Sequence, residues 1–147
     1  MSLAMNREEL MEYMKQIFPQ VHQDFVVEEL TDETIVMRLV VEDRHLRPGG
    51  TVSGPSIFGL ADVSVYAMVL ARKGRQSLAV TTNSSLDFLR KPIGGRDMIA
   101  RCRLLKLGRT LAVGDVLMFS EGASEPVARA TMTYSLPPEG SAAAAFG

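Results

Sequence analysis

One carboxylate sits among residues that would otherwise make a core. Asp62 lies in Ile57-Phe58-Gly59-Leu60-Ala61-Asp62-Val63-Ser64-Val65-Tyr66, and at helical spacing Phe58, Val65 and Tyr66 share its face. Burying an acid there unpaired is costly, so it must be hydrogen-bonded, open onto a wet cleft, or give up its charge. A structural carboxylate, accepting from a hydroxyl such as Ser64 or Tyr66 of a neighbouring chain, fits the composition as well as a catalytic one does. Just upstream, Thr51-Val52-Ser53-Gly54-Pro55 has the form of a helix start. Its unpaired backbone N–H groups would make an anion or oxyanion site, with Gly54 allowing close approach. Taken alone, it reads as an ordinary capped helix start. The rise from Gly54 to Asp62 along a helix is about 12 Å. One chain therefore cannot bring both groups to a single carbonyl carbon, and cooperation would require two chains across a two-fold interface.

These residues need a frame to hold them. Asn6 with Glu9 three positions on reads as a reciprocal helix cap, followed by Leu10, Met14, Ile17 and Phe18 on one face and ended by Pro19. Two strand-like stretches, Phe25 to Leu30 and Ile35 to Val41, flank the turn Thr31-Asp32-Glu33-Thr34. The loop Glu42 to Val52 leads into the apolar segment, capped by Ser53, with Pro55 in its first turn and an end near Gly74. Four more strands are expected at Leu78–Leu89, Met98–Leu107, Leu111–Phe119 and Val127–Leu136. Their short connectors point to consecutive antiparallel neighbours. A helix apolar all round must be covered on all sides, so the expected fold is α+β, a long central helix wrapped by a curved antiparallel sheet. A residual apolar flank makes a homo-oligomer the expectation.

The 147 residues match one domain, placed at residues 1–136, with Met1-Ser2-Leu3 resembling a cloning scar and 137–147 a mobile tail. A formal net charge of −1 argues against nucleic-acid binding, which normally needs a concentrated cationic face. The single cysteine, Cys102, has no partner for a disulfide or a zinc site, and a reducing, cytoplasmic setting is expected. Met1 to Asn6 lacks the pattern of a secretory signal. The run Ile57 to Ala71 is short for a membrane span and carries Asp62, so no membrane partner is expected.

Four segments, in order and spacing, carry a family resemblance. They are Gly50-Thr51-Val52-Ser53-Gly54-Pro55-Ser56-Ile57-Phe58-Gly59-Leu60-Ala61-Asp62, Val80-Thr81-Thr82-Asn83-Ser84-Ser85-Leu86-Asp87-Phe88-Leu89-Arg90-Lys91-Pro92, Leu107-Gly108-Arg109-Thr110, and Val127-Ala128-Arg129-Ala130-Thr131-Met132-Thr133-Tyr134. Over roughly Val41 to Leu136 the chain resembles the hotdog-fold acyl-CoA thioesterases, specifically the group related to the phenylacetate-degradation thioesterase.

The resemblance implies hydrolysis of a medium-chain or aromatic acyl-CoA at a subunit interface, with no metal and no cofactor, coenzyme A being part of the substrate. It makes Asp62 the nucleophile or the base that activates water. Gly54, matching the first glycine of a His-Gly-Gly turn, would donate to the thioester oxygen, and Thr81, matching a Ser or Thr beside the attacking water in the partner chain, would position that water. Ser53, Pro55, Phe58, Thr82, Arg90, Lys91 and Arg47 are the candidate substrate-binding residues. By the same analogy the assembly would be a dimer of dimers. Ser53 stands where the family has histidine, Pro55 where it has a second glycine, and Arg47 where it often has asparagine. Arg47 could bind a substrate carboxylate or phosphate, or be a solvated loop arginine. Arg90, Lys91, Arg96, Arg101, Arg103 and Arg109 are either CoA-phosphate contacts or strand cations facing water. His22 and His45 fall outside the matched segments and read as surface residues.

Two other functions compete. A non-catalytic acyl-CoA or lipid binder on the same fold is motivated by the missing histidine and asparagine. A hydratase or dehydratase would call for a histidine on the central helix, which has none.

Overall fold

A computed structural model of the chain describes residues 2–138. Asn6 caps α1 (Arg7–Ile17) as expected: its side chain accepts from Glu9 N–H at 2.8 Å, and the Glu9 carboxylate accepts from Asn6 N–H at 3.0 Å. Ahead of it, Leu3 and Met5 pack on the core, and Ala4 and Met5 donate to the Ala71 carbonyl in the last turn of the long helix. The expected mobile tail falls, from Glu139 onward, outside the described residues.

The six strands are β1 (Phe25–Leu30), β2 (Thr34–Leu39), β3 (Val80–Phe88), β4 (Met98–Leu107), β5 (Leu111–Ser120) and β6 (Ala128–Ser135). They form one antiparallel sheet in the order β1-β2-β4-β5-β6-β3. Of the last four strands, β4, β5 and β6 are successive neighbours as expected, and β3 is not. β3 crosses to the far edge and pairs with β6, because the near edge of β4 is already taken by β2. The connector Leu89–Asp97 is long enough: nine extended residues reach about 30 Å, whereas three strand spacings are about 14 Å.

The central helix α2 (Gly54–Lys73) lies across this sheet, buried from Val63 through Ala71. It is long and apolar enough to cross a membrane, yet 67% of its most apolar 18-residue window is buried inside the fold, the pattern of a core helix. Ser53 caps it and Gly74, at φ +88°, ends it. One glycine sets how close helix and sheet come. A Cβ built on Gly114 of β5 would lie 2.7 Å from Val65 Cγ2 and 2.9 Å from Cγ1. A helix wrapped by an antiparallel sheet in this way is the hotdog fold.

β3 is an edge strand that exposes Val80 (57%) and Phe88 (58%) and offers an unpaired outer edge. Such an edge normally has to be covered.

Since Val65 is β-branched and stiff, Gly114→Ala overpacks this contact. A cost of 1–3 kcal/mol is expected, read as a fall in Tm of about 2–10 °C. An unchanged melting curve would mean that the helix can lift from the sheet freely.

Candidate active site

Asp62 is half-buried on α2, and its hydroxyl partners come from the far edge of the sheet. Thr81 and Tyr134 are directly paired across β3 and β6, so their side chains leave the same face of the sheet. Both reach Asp62. Thr81 Oγ1 donates to Oδ1 at 2.5 Å, and Tyr134 Oη lies 2.9 Å from the same oxygen and 3.0 Å from the Asp62 carbonyl. Oδ2 takes no donor from the described residues, and it is not among their buried unpaired polar atoms. One carboxylate oxygen is thus held while the other stays open to water.

Within the chain, neither Ser64 nor Tyr66 bonds to the Asp62 carboxylate. Ser64 Oγ turns back to the Leu60 carbonyl at 2.7 Å, as a mid-helix serine can. Tyr66 Oη donates to the Ser77 carbonyl at 2.7 Å. The tyrosine that matters, Tyr134, was missed as a site residue from sequence, although its place in an alternating strand puts it on the inner face with Met132 and Ala130.

Phe18, Gly59, Asp62, Val63, Tyr66, Ser77, Ala79, Val80, Thr81 and Tyr134 line an open cavity of about 300 Å³. Its aromatic wall is continuous. Phe18 meets Tyr66 edge-on with ring centroids 6.1 Å apart, and Tyr66 stacks on Tyr134 at 5.9 Å. Burial first, then the Asp62 charge, pushes the Tyr134 phenol well above its ordinary range. Burial also raises Tyr66 to about 12. Both remain donors at neutral pH.

Gly54 opens a second cavity of about 370 Å³, lined by Arg47, Thr51, Val52, Gly54, Ile57, Phe88, Leu89, Arg90, Lys91 and Pro92. At the start of α2 the Ser56 N–H donates to the Ser53 cap at 3.4 Å, and Pro55 has no N–H to offer. The Gly54 N–H has no partner among the described residues, so Ser53 and Pro55 leave one free donor at the positive end of the helix. The Phe88 ring lies over it: a Cβ on Gly54 would sit 3.4 Å from Phe88 Cζ.

The structure separates the remaining candidates. Arg47 and Lys91 are exposed on the Gly54 cavity, with no ion pair among the described residues. Arg90 lines the same cavity, but its guanidinium is engaged by Glu125 at 3.2 Å and the Pro126 carbonyl at 3.1 Å. Thr82 is the bulged residue between the Thr81 and Asn83 registers and bonds weakly to the Thr133 carbonyl at 3.4 Å. Thr82 is exposed and does not line the Asp62 cavity. Phe58 is 38% exposed and borders neither cavity. Arg101 lies over the Phe119 ring, and Arg96 donates to the Glu121 carbonyl; neither borders the Gly54 cavity.

His45, expected at the surface, is 7% exposed. Its polar sequence neighbours disguised a burial that comes from packing on the segment before β1. Cys102 is buried on the sheet, and burial pushes its thiol up to about 12, which leaves it unreactive. Among the described residues no three His, Cys, Asp or Glu side chains gather as metal ligands. The groups in place are one carboxylate, two hydroxyls, one free backbone donor and two free cations, divided between two half-sites about 12 Å apart along α2.

Comparison with known proteins agrees with this fold. A Streptococcus mutans protein solved with acetyl-CoA bound is 25% identical, with a TM-score of 0.68 over 78% of this chain and 89% of that one. Mouse acyl-coenzyme A thioesterase 13 is 23% identical over 138 residues, which span 92% of this chain and 97% of the mouse protein. A thioesterase-like protein from Silicibacter sp. is 62% identical, with a TM-score of 0.89 over 94% of this chain and 96% of that one. Residues 49–127, more than half of the chain and including Gly54, Asp62, Thr81 and Lys91, match the family described as Thioesterase superfamily, and the chain belongs to that superfamily.

Proposed function

We propose that the protein hydrolyses an acyl-CoA thioester, within the phenylacetate-degradation group of the superfamily, at sites shared between two subunits. The observation that carries this reading is the state of Asp62, with Oδ1 held by two hydroxyls and Oδ2 open inside an aromatic-lined cavity. In the proposed reaction Oδ2 takes a proton from water, and the water oxygen bonds to the thioester carbon. The carbonyl oxygen gains negative charge beside the Gly54 N–H of the other subunit. Collapse of the tetrahedral intermediate breaks the carbon–sulfur bond, and CoA departs as a thiolate. The thiolate recovers the proton held by Asp62, leaving the free acid and CoA. Phe18, Tyr66 and Tyr134 favour an aromatic or medium-chain acyl group over a polar one.

Two features support the shared site. β3 has a bare outer edge, and its two ends belong to different half-sites: Thr81 to the Asp62 cavity, Phe88 to the Gly54 cavity. Antiparallel pairing of two β3 strands about a point between Ser84 and Ser85, half a residue from the strand's centre at Ser84, sets Thr81 of each chain opposite residue 88 of the other. The halves then meet twice per pair. A dimer of dimers built from such pairs is part of the proposal. The free Gly54 donor, left by Pro55 and Ser53, weighs against the purely binding alternative.

With a panel of short, medium, long and aromatic acyl-CoA esters, thiol release is expected, fastest for an aromatic or medium-chain ester. Asp62→Asn should lower kcat by at least about 10²-fold with an unaltered circular dichroism spectrum and retained ester binding; undiminished turnover would remove Asp62 from the chemistry.

The free cations give a separate expectation. Arg47→Ala and Lys91→Ala should each raise KM for CoA esters about 3–10-fold while leaving the N-acetylcysteamine thioester of the same acid unaffected. Equal losses on both substrates would place these side chains away from the nucleotide phosphates.

The buried phenols predict an alkaline limit. A phenol whose pKa is raised by folding adds stability that is complete below about pH 10 and is lost as pH climbs through the folded value, about 12 for Tyr66. Absorbance titration should find Tyr66 and Tyr134 un-ionised at about pH 11, ionising only as the fold is lost; smooth titration of these two phenols near pH 10 would contradict their burial.

A further inference from the structure

The loop that delivers Gly54 is anchored by a histidine the proposed chemistry does not use. His45 Nδ1 accepts the Glu42 N–H at 2.8 Å, which leaves the ring proton on Nε2, 3.4 Å from Asp24 Oδ2. Asp24 is itself fixed, paired with Arg44 and accepting the Val40 N–H on its carbonyl at 2.8 Å. The buried ring therefore ties residues 42–45 to the segment that enters β1.

The main chain of His45 then reaches the helix start. Its carbonyl accepts the Ser53 N–H at 2.8 Å, and Ser53 is the cap of α2, one residue before the free Gly54 donor. Between these two points the chain makes a closed tongue. Leu46 bridges Val52, Arg47 N–H donates to the Thr51 carbonyl at 2.9 Å, and Gly50 N–H donates to the Arg47 carbonyl at 3.0 Å. Gly49 and Gly50, at φ +102° and +84°, supply the left-handed turn at its tip. Both ends of the tongue rest on His45.

We propose that His45 is a positioning residue for the thioester-cleaving reaction: through its carbonyl and its anchored ring it aims the Gly54 N–H and holds the tongue that carries Arg47. This rests on the hydrolase reading given above. A donor at a helix start stabilises an oxyanion only if it points at the developing charge, and a misplacement of about 1 Å can cost about a hundredfold. The ring touches neither cavity, so its effect would pass entirely through Ser53 and Gly54.

Two measurements on the full chain test this together. One is steady-state turnover of the acyl-CoA ester with the fastest thiol release. The other is amide hydrogen exchange, which does not depend on activity. For His45→Ala we expect kcat to fall about 10–100-fold, with a smaller change in KM. The Ser53 and Arg47 amides should exchange faster, while the amides of the β4–β5 ladder keep their protection. His45→Asn, whose side-chain carbonyl can accept the Glu42 N–H, should recover most of the rate. Unchanged kcat, or a loss accompanied by faster exchange across the β4–β5 ladder, would overturn the assignment. If the wild-type protein releases no thiol from any ester, the hydrolase reading fails by itself, and exchange still decides the anchor: faster exchange confined to the tongue supports it, and unchanged exchange at Ser53 rejects it.

Discussion

An α-helix advances about 1.5 Å per residue, and no local adjustment brings position 54 of a straight helix to the same carbon atom as position 62. That spacing organises the rest of the molecule. The donor end and the carboxylate of α2 open into different cavities. The edge strand that borders both is left bare, with apolar side chains exposed. In the proposed assembly the edge is covered by its own copy, and the covering completes the chemistry. The unpaired edge and the divided site are then two aspects of one arrangement.

Within each half the sheet prepares the groups. Thr81 and Tyr134 can share one oxygen of Asp62 because β3 and β6 hold them opposite each other, with the bulge at Thr82 directly after. Holding Oδ1 limits the rotation of the carboxylate and leaves Oδ2 for water. At the other half, a serine cap and a proline remove two of the first helical donors and leave the Gly54 N–H free. The residues that depart from the family's usual pattern at this turn therefore do not abolish its donor. They reduce it to one.

Much of this was legible in the chain. Asp62 stood out because a charge interrupts an apolar helix, and both helix starts declared themselves through capping residues whose partners lie three positions away. Local hydrogen bonds leave local signatures. The strand order did not, because the connector Leu89–Asp97 is long enough either to turn back or to cross three strands, and only the competition of β2 for the edge of β4 settles which. Tyr134 lies 72 residues from the acid it bonds, beyond any local pattern. His45 was misread for the converse reason: its neighbours are charged, but the surface that buries it comes from the turn before β1. Arg90 looked as available as Lys91 until folding brought Glu125 beside it.

The central claim is that each site takes Asp62 from one chain and the Gly54 N–H from another. Its most direct test is subunit complementation. Gly54→Pro removes the N–H at a helix position that accepts proline, with its ring set against Phe88, and Asp62→Asn removes the base. Each homogeneous variant should be inactive. Co-assembled after unfolding and refolding together in equal amounts, they should regain about a quarter of wild-type turnover, since half of random pairs are mixed and each mixed pair has one intact site. Recovery near that level is what a shared site predicts. No recovery from a mixture that demonstrably forms mixed pairs would mean that no site draws its donor from one chain and its carboxylate from the other, and the two-chain account would be wrong.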